Sequence, residues 1–272
     1  MTITSVAGAQ RIQAAFDRAR AQDRAALIVY LTSCFPDPAT SRACFAAAVE
    51  AGADVLEIGI PFSDPMMDGP IIQAANQHVL DAGTRVTDHL DLIRSLADLD
   101  VPKLAMTYVT IADTRGYAAF ADECADAGLS GMILPDLPVP EADDWRREAA
   151  RVGLATVFLA SSVSTDARLE AIGAASQGWV YATGLLGVTG VKGVAQDVTR
   201  HLVERVRPRT DVPVAVGIGV RDRASAAEVA AYADGVIVGS SVVKAAADGD
   251  PAGAPARVGA LVRELRAGVQ RG

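Results

Sequence analysis

The sequence predicts an α/β fold of the (β/α)8-barrel type. Eight short apolar runs alternate with longer amphipathic segments along the 272 residues, and no low-complexity linker interrupts the alternation. Parallel strands joined by right-handed helical crossovers form either a closed barrel or an open, doubly wound sheet. Two observations favour the barrel: the runs number eight, and glycine-rich segments follow the seventh and eighth runs, where barrels of this type bind phosphate.

The predicted strands are short and apolar, as strands buried on both faces of a parallel sheet are. They cover residues 26–33, 54–60, 102–108, 130–134, 154–160, 178–182, 212–216 and 234–238. Helices are predicted between them, for example over 41–50, 116–126, 142–152 and 223–233. A further short helix, over about 8–22, precedes the first strand. We therefore expect residues 1–272 to form one barrel domain.

A recurring junction leads from a predicted helix into the next strand. Asp54 stands at the start of the second run, Ser130 at the start of the fourth and Asp234 at the start of the eighth. Gly52 and Gly128 come just before two of these junctions. Glycine permits the left-handed backbone that ends many helices, so the junctions support the alternating order of elements.

Composition and charge exclude several classes of function. The formal net charge is −8 and the arginines form no basic stripe, which argues against a nucleic-acid or anionic-membrane partner. No apolar run approaches the roughly 18 residues of a spanning helix, and residues 1–10 lack the pattern of a signal peptide. The three cysteines have no disulfide or zinc-site spacing. We expect a cytoplasmic protein without a metal ion.

Three glycine-rich segments predict a phosphate site. Gly187-Val188-Thr189-Gly190 follows the sixth run, Gly217-Ile218-Gly219 the seventh and Gly239-Ser240 the eighth. Glycines let backbone N–H groups approach a phosphate, and a helix N-terminus adds partial positive charge. Backbone amides bind an anion without a basic surface, so the acidic composition is no obstacle.

Glu57 is the first candidate for acid–base chemistry. Strand alternation places Leu56, Ile58 and Ile60 on one face and Glu57 on the other. If the aliphatic face packs on the helices, Glu57 points into the mouth of the barrel. Burial in apolar surroundings raises the pKa of a carboxyl toward neutrality, where it can both donate and accept a proton.

Two more carboxylates, Asp64 and Asp68, lie in the segment before Pro70, the predicted first residue of a helix. Each is either a turn or cap residue or a ligand to a substrate N–H group, and spacing does not choose between these roles. No lysine stands at the inner end of a strand, and the histidines fall in helical stretches. The sequence therefore assigns the chemistry to carboxylates.

The segment from Leu56 to Pro65, with Asp68-Gly69-Pro70, closely resembles the signature of the tryptophan synthase α subunit family. The similarity continues in order through residues 30–32, 36–37, 134–138, 181, 187–190, 217–219 and 239–240. It implies a (β/α)8 barrel that cleaves indole-3-glycerol phosphate to indole and glyceraldehyde 3-phosphate, in the last stage of tryptophan biosynthesis, without metal or cofactor.

The resemblance also implies a role for each matching residue. Glu57 would be the general acid–base that protonates indole C3, and Asp68 would accept a hydrogen bond from the indole N–H. Tyr181 would position Glu57 and the substrate. The phosphate-binding residues would be Gly190, Gly219, Gly239 and Ser240. A β subunit would be the partner in an α2β2 tetramer, and pyridoxal phosphate would belong to that subunit.

Three segments depart from the family pattern and bear on coupling to the partner. Cys34 replaces a usual glycine, Val109-Thr110-Ile111 replaces an aromatic-Asn-Pro run, and Gly184-Leu185-Leu186 is more apolar than usual. The alternatives are a stand-alone lyase of specialised metabolism that releases indole and another phosphate-binding barrel lyase or isomerase. A degenerate subunit that only activates a partner is a third alternative, but we would expect it to have lost Glu57 or Asp68.

Overall fold

The computed structural model describes residues 6–184, 192–217 and 219–271, and its eight strands form one closed parallel barrel. The strands are β1 (Ala26–Thr32), β2 (Val55–Gly59), β3 (Lys103–Met106), β4 (Gly131–Ile133), β5 (Ala155–Ser161), β6 (Val180–Thr183), β7 (Val214–Val216) and β8 (Gly235–Val238). Each strand pairs with the next along the chain, and β8 pairs with β1. The predicted fold class is confirmed.

Helices follow the strands on the outside of the barrel, and α1 precedes β1. They are α1 (Ala7–Ala21), α2 (Pro38–Glu50), α3 (Pro70–Asp81), α4 (Val86–Ser95), α5 (Val109–Arg115), α6 (Tyr117–Asp126), α7 (Asp143–Arg151), α8 (Asp166–Ala175), α9 (Lys192–Val206), α10 (Arg223–Ala230), α11 (Ser240–Ala247) and α12 (Ala254–Gly268). Pro70 begins α3 as predicted, because its fixed φ suits the first helical position. The predicted strand over 102–108 was too long: β3 ends at Met106.

The predicted junctions have a clear structural role. The Asp54 carboxylate, just before β2, accepts a hydrogen bond from the Leu27 N–H of β1 at 2.8 Å and pairs with the buried Arg24. Asp234, just before β8, accepts one from the Val214 N–H of β7 at 3.0 Å. These side chains thus satisfy backbone donors at the amino ends of neighbouring strands.

Apolar side chains pack on both sides of the strands. Outward-facing side chains pack against the helices, and inward-facing ones fill the barrel together with α1. Ile12 and Phe16 of α1 are fully buried, and the Phe16 ring lies 6.0 Å from the Trp179 ring. Helix α1 therefore closes the amino end of the barrel and leaves the carboxyl end for the site. No helix in the described part of the chain is long and apolar enough to cross a membrane.

Candidate active site

Glu57 points into the barrel at the middle of β2. Leu56 and Ile58 belong to the outer apolar cluster, whereas Val55 belongs to the inner one, so Glu57 shares the inner face. Its backbone pairs with Tyr30 of β1 and Leu104 of β3. The side chain is only 1% exposed. This is the orientation that the alternation of residues along the strand predicts.

The Glu57 carboxyl is poorly solvated. Its Oε2 atom is buried without a hydrogen-bond partner among the described residues. Burial, and then the negative charge of Asp68, raise the pKa of Glu57 from 4.5 to about 8. At neutral pH Glu57 is therefore mainly protonated and can donate a proton to a bound molecule.

Asp68 lies between β2 and α3 and is the second carboxyl of the site. Its Oδ2 accepts a hydrogen bond from Nδ2 of Asn76 at 3.1 Å. Burial raises the pKa of Asp68 to about 6, and the hydrogen bond from Asn76 opposes the rise. At pH 7 the pair therefore combines a protonated Glu57 with an ionised Asp68, an arrangement suited to an acid and a neighbouring negative charge.

Asp64 lies in a different environment. It is exposed and accepts a hydrogen bond from the Ser63 hydroxyl at 2.7 Å. Gly69 occupies the N-cap position of α3, which has no side-chain cap hydrogen bond. Neither aspartate therefore caps α3, and Asp68 is the one with its carboxylate in the buried site.

Two tyrosines enter the site across from glycines. A Cβ atom at Gly59 would collide with the hydroxyl of Tyr30, and one at Gly217 would collide with the hydroxyl of Tyr181. Burial and then the charge of Glu57 raise the pKa of Tyr181 well above its usual value, so this phenol stays neutral. The predicted site residue Tyr181, which is half-buried, thus lies near Glu57.

Tyr108 orders the segment that carries the aspartates. Its hydroxyl accepts a hydrogen bond from the Met67 N–H at 2.9 Å, and its ring stacks on Phe62 at a centroid distance of 5.0 Å. Both contacts hold the β2–α3 segment against the segment after β3. Asp68 directly follows Met67, so Tyr108 restrains the backbone next to the carboxylate.

Sequence reasoning did not assign roles to Tyr30, Tyr108 or Asn76. Asn76 had a detectable signal, because it is the one polar residue at a helical spacing with Ile72, Ala75 and Val79. The tyrosines had a weaker signal. Aromatic residues near strand ends commonly belong to the hydrophobic core, and only the packing shows whether such a residue fills the core or lines the site.

The glycine segments after β7 and β8 lie next to each other at the carboxyl end of the barrel. Gly219 has φ +71° and open space where a Cβ would lie. Gly239 directly precedes α11, which begins at Ser240. The Ser241 hydroxyl donates to the Val220 carbonyl at 3.3 Å and joins the two segments. The predicted Gly190 lies outside the described residues, as do Leu185 and Leu186.

The two other departures from the family pattern have physical consequences. Cys34 has φ +64°, the left-handed region that favours glycine, which explains why glycine is usual there. The substituted run at Val109 begins α5, and the Val109 N–H donates to Oδ1 of Asp136 at 2.9 Å. Asp136 thereby satisfies a free N–H at the start of this helix. Among the described residues, no cluster of three His, Cys, Asp or Glu side chains could hold a metal ion.

Comparisons with known proteins show which proteins this chain is similar to. A family model described as tryptophan synthase alpha chain matches residues 16–269. The chain is 46% identical over 256 residues to a Streptomyces avermitilis tryptophan synthase alpha chain, covering 93% of this chain and 92% of that one. It is 45% identical over 261 residues to the alpha chain of Mycobacteroides abscessus, covering 96% and 98% of the two chains.

Solved structures give the same result. A Mycobacterium tuberculosis tryptophan synthase structure is similar with a TM-score of 0.89 and 44% identity, over 96% of this chain and 99% of that one. The tryptophan synthase subunit alpha of Legionella pneumophila has a TM-score of 0.86 and 32% identity, over 95% and 98% of the two chains. The similarity therefore covers the whole barrel.

Proposed function

Since this chain belongs to the tryptophan synthase alpha chain family, we propose that Glu57 and Asp68 carry out the family's lyase reaction. That reaction is the retro-aldol cleavage of indole-3-glycerol phosphate to indole and glyceraldehyde 3-phosphate, in the last stage of L-tryptophan biosynthesis. The observation that carries the assignment of residues is the pair formed by the buried Glu57 and the half-buried Asp68, in which the pKa of Glu57 is about 8 and that of Asp68 about 6.

The different protonation states of the pair match the two needs of the cleavage. Glu57 donates its proton to C3 of the indole ring, and the ring becomes positively charged. The Asp68 carboxylate accepts a hydrogen bond from the ring N–H and stabilises that charge, an effect that is strong away from water. Glu57, now ionised, takes the proton from the side-chain hydroxyl. The carbon–carbon bond breaks, its electron pair returns to the ring, and the aldehyde forms.

The remaining site residues bind and orient the substrate. Tyr181 lies close enough to Glu57 for the charge of that carboxylate to raise the tyrosine pKa, so we assign the tyrosine to positioning Glu57 and the indole ring. Gly219, Gly239 and Ser240 lie where backbone N–H groups and the start of α11 can bind the phosphate. Gly190 completes this set by resemblance to the family.

A β subunit is the partner that the homologues imply, and we propose an α2β2 tetramer with it. All three exposed large hydrophobic side chains in the described part of the chain, Met66, Ile71 and Val163, are at the carboxyl end of the barrel, where a partner can cover them. The lyase reaction of this chain then uses no cofactor, and pyridoxal phosphate belongs to the β subunit. We further propose that the complex is cytoplasmic.

The test is to incubate the purified protein with indole-3-glycerol phosphate and to quantify indole and glyceraldehyde 3-phosphate. Equimolar release of both products is expected. We expect a saturating β subunit to raise the rate tenfold or more, which corresponds to an activation barrier lowered by about 1.4 kcal/mol. Absence of indole under both conditions would disprove the proposed function, and a fast rate that the β subunit does not change would disprove the coupling.

A further inference from the structure

A chain of polar side chains leads from the barrel wall to Asp68. Asn76, on α3, is only 3% exposed. Its Nδ2 donates to Oδ2 of Asp68 at 3.1 Å, and its Oδ1 accepts from the Thr32 hydroxyl at 3.4 Å. Three side chains, from β1, α3 and the β2–α3 segment, are thus connected.

The hydrogen bonds of this chain run in one direction. The Asp68 carboxylate is ionised at pH 7 and therefore only accepts hydrogen bonds. Thr32 donates to the amide oxygen of Asn76. A carboxamide has one accepting end and one donating end. The amide nitrogen of Asn76 therefore faces the Asp68 carboxylate, and the amide oxygen is left to accept from the Thr32 hydroxyl.

We propose that Asn76 is a positioning residue, which orients the Asp68 carboxylate toward the ring N–H of the substrate and stabilises its charged form. Thr32 supports this role by fixing the orientation of the Asn76 amide. The inference rests on the proposed function, since it concerns the residue that binds the ring N–H. It adds to the proposed site a residue that acts through Asp68 and does not itself touch the substrate.

The surroundings of Asp68 leave this task to Asn76. Among the described residues, the titratable groups that face Asp68 are Glu57 from β2, Tyr30 from β1, Tyr181 from β6 and Tyr108 from the segment after β3. All four are acids, and none supplies positive charge to stabilise a carboxylate. Burial raises the pKa of Asp68, and the hydrogen bond from Asn76 lowers it.

The test uses Asn76→Leu, which keeps a side chain of similar size and removes the donor. Loss of a hydrogen bond to the charged form should raise the pKa of Asp68, so the acidic limb of the kcat/KM profile should move up by about one pH unit. Activity on the acidic side should then fall about tenfold, with little change in KM at pH 8. Thr32→Val should move the limb in the same direction by less, because Asn76 can still donate.

Gln77→Leu is the matched control, because Gln77 is an exposed neighbour on α3 whose side chain donates to Asp81. It should leave the pH profile unchanged. If Asn76→Leu does not fold, Asn76→Ala replaces it. The pKa of Asp68 is also measured directly, by carboxyl ¹³C NMR in protein labelled at aspartate, which needs no activity.

The possible outcomes separate the two proposals. A lower melting temperature of the Asn76 variants with an unchanged acidic limb and an unchanged Asp68 titration would make Asn76 merely structural and overturn this inference. If the parent protein releases no indole, the proposed function fails instead. The NMR titration then still decides whether Asn76 stabilises the charged form of Asp68.

Discussion

The two ends of the barrel interior differ sharply in chemistry although the same strands line both. At the amino end, Ile12 and Phe16 of α1 pack with Trp179 in an apolar layer. At the carboxyl end, the buried Glu57 and the half-buried Asp68 lie near neutral tyrosines. Strand β2 contributes to both ends, since Val55 belongs to the apolar cluster and Glu57, two residues later, to the site.

This difference teaches that burial has opposite consequences at the two ends. Burying apolar side chains stabilises the folded state by removing their surface from water. Burying a carboxyl instead destabilises its charged form. At the carboxyl end, this destabilisation of the charged carboxyl raises the pKa of Glu57, which makes proton transfer near neutral pH possible. We therefore expect substitutions at the amino end to change stability and substitutions at the carboxyl end to change activity.

The largest expected effect is that of Glu57→Gln on activity. Removal of the acid–base group should lower indole release by about a hundredfold to ten-thousandfold. The control is Asp64→Asn, which changes an exposed carboxylate in the adjacent segment and should have little effect. Near-normal indole release by a folded Glu57→Gln protein would contradict the assignment.

The same variant should not lose stability. The pKa of Glu57 is about 8 in the folded protein, against an ordinary value of 4.5. Between these values only the unfolded state gives up the proton, so the free energy of unfolding of the parent falls as pH rises from 4.5 to 8. Glu57→Gln lacks this dependence. Its melting temperature relative to the parent should therefore rise between pH 5 and pH 8.

Phe16→Ala, at the amino end of the barrel, should lower the stability and leave the activity almost unchanged. Truncation of a buried phenylalanine typically costs about 3–5 kcal/mol of unfolding free energy, and Phe16 is 2% exposed. Because the ring lies in the layer that closes the far end of the barrel, kcat per folded molecule should stay close to that of the parent. Urea unfolding and indole release measure the two quantities. Loss of activity without loss of stability would contradict the separation.

Gly219→Val should weaken substrate binding by about ten- to hundredfold, as expected when hydrogen bonds to a charged group are lost. The side chain would fill the open space at Gly219 and strain a backbone with φ +71°. Gly83→Val is the matched control, since Gly83 has φ +78°, equally open surroundings and a position at the end of α3 away from the mouth. Similar KM values for both variants would remove Gly219 from the phosphate site.

The smallest effect is the pH dependence of the parent near neutrality. The value of kcat/KM should be highest between about pH 6 and about pH 8, the pKa values of Asp68 and Glu57. Below this range Asp68 becomes protonated, and above it Glu57 loses its proton. In Asp68→Asn the acidic limb should disappear, and the basic limb should move to lower pH because the charge of Asp68 no longer raises the pKa of Glu57. An unshifted basic limb would show that the two carboxyls do not interact.

The sequence by itself determined the barrel and the inward direction of Glu57. Both follow from periodic patterns: alternating elements define the barrel, and the period of two along β2 separates Glu57 from Leu56 and Ile58. The same local rules predicted that Pro70 begins α3. Patterns of this kind depend on neighbours in the chain, so they can be read without knowing what packs against what.

Spacing did not choose between Asp64 and Asp68 and the resemblance implied Asp68, but only the tertiary structure decided what surrounds each aspartate. Asp64 and Asp68 are four residues apart, yet one is exposed and the other accepts a hydrogen bond from Asn76. The hydrogen bond between Thr32 and Asn76 joins residues 44 positions apart in the chain. Closure of the barrel brings β1, β2 and α3 together, and local sequence patterns do not record contacts at such separations. The pKa values of the carboxyl pair depend on those contacts and on burial, and for that reason they emerged only from the folded structure.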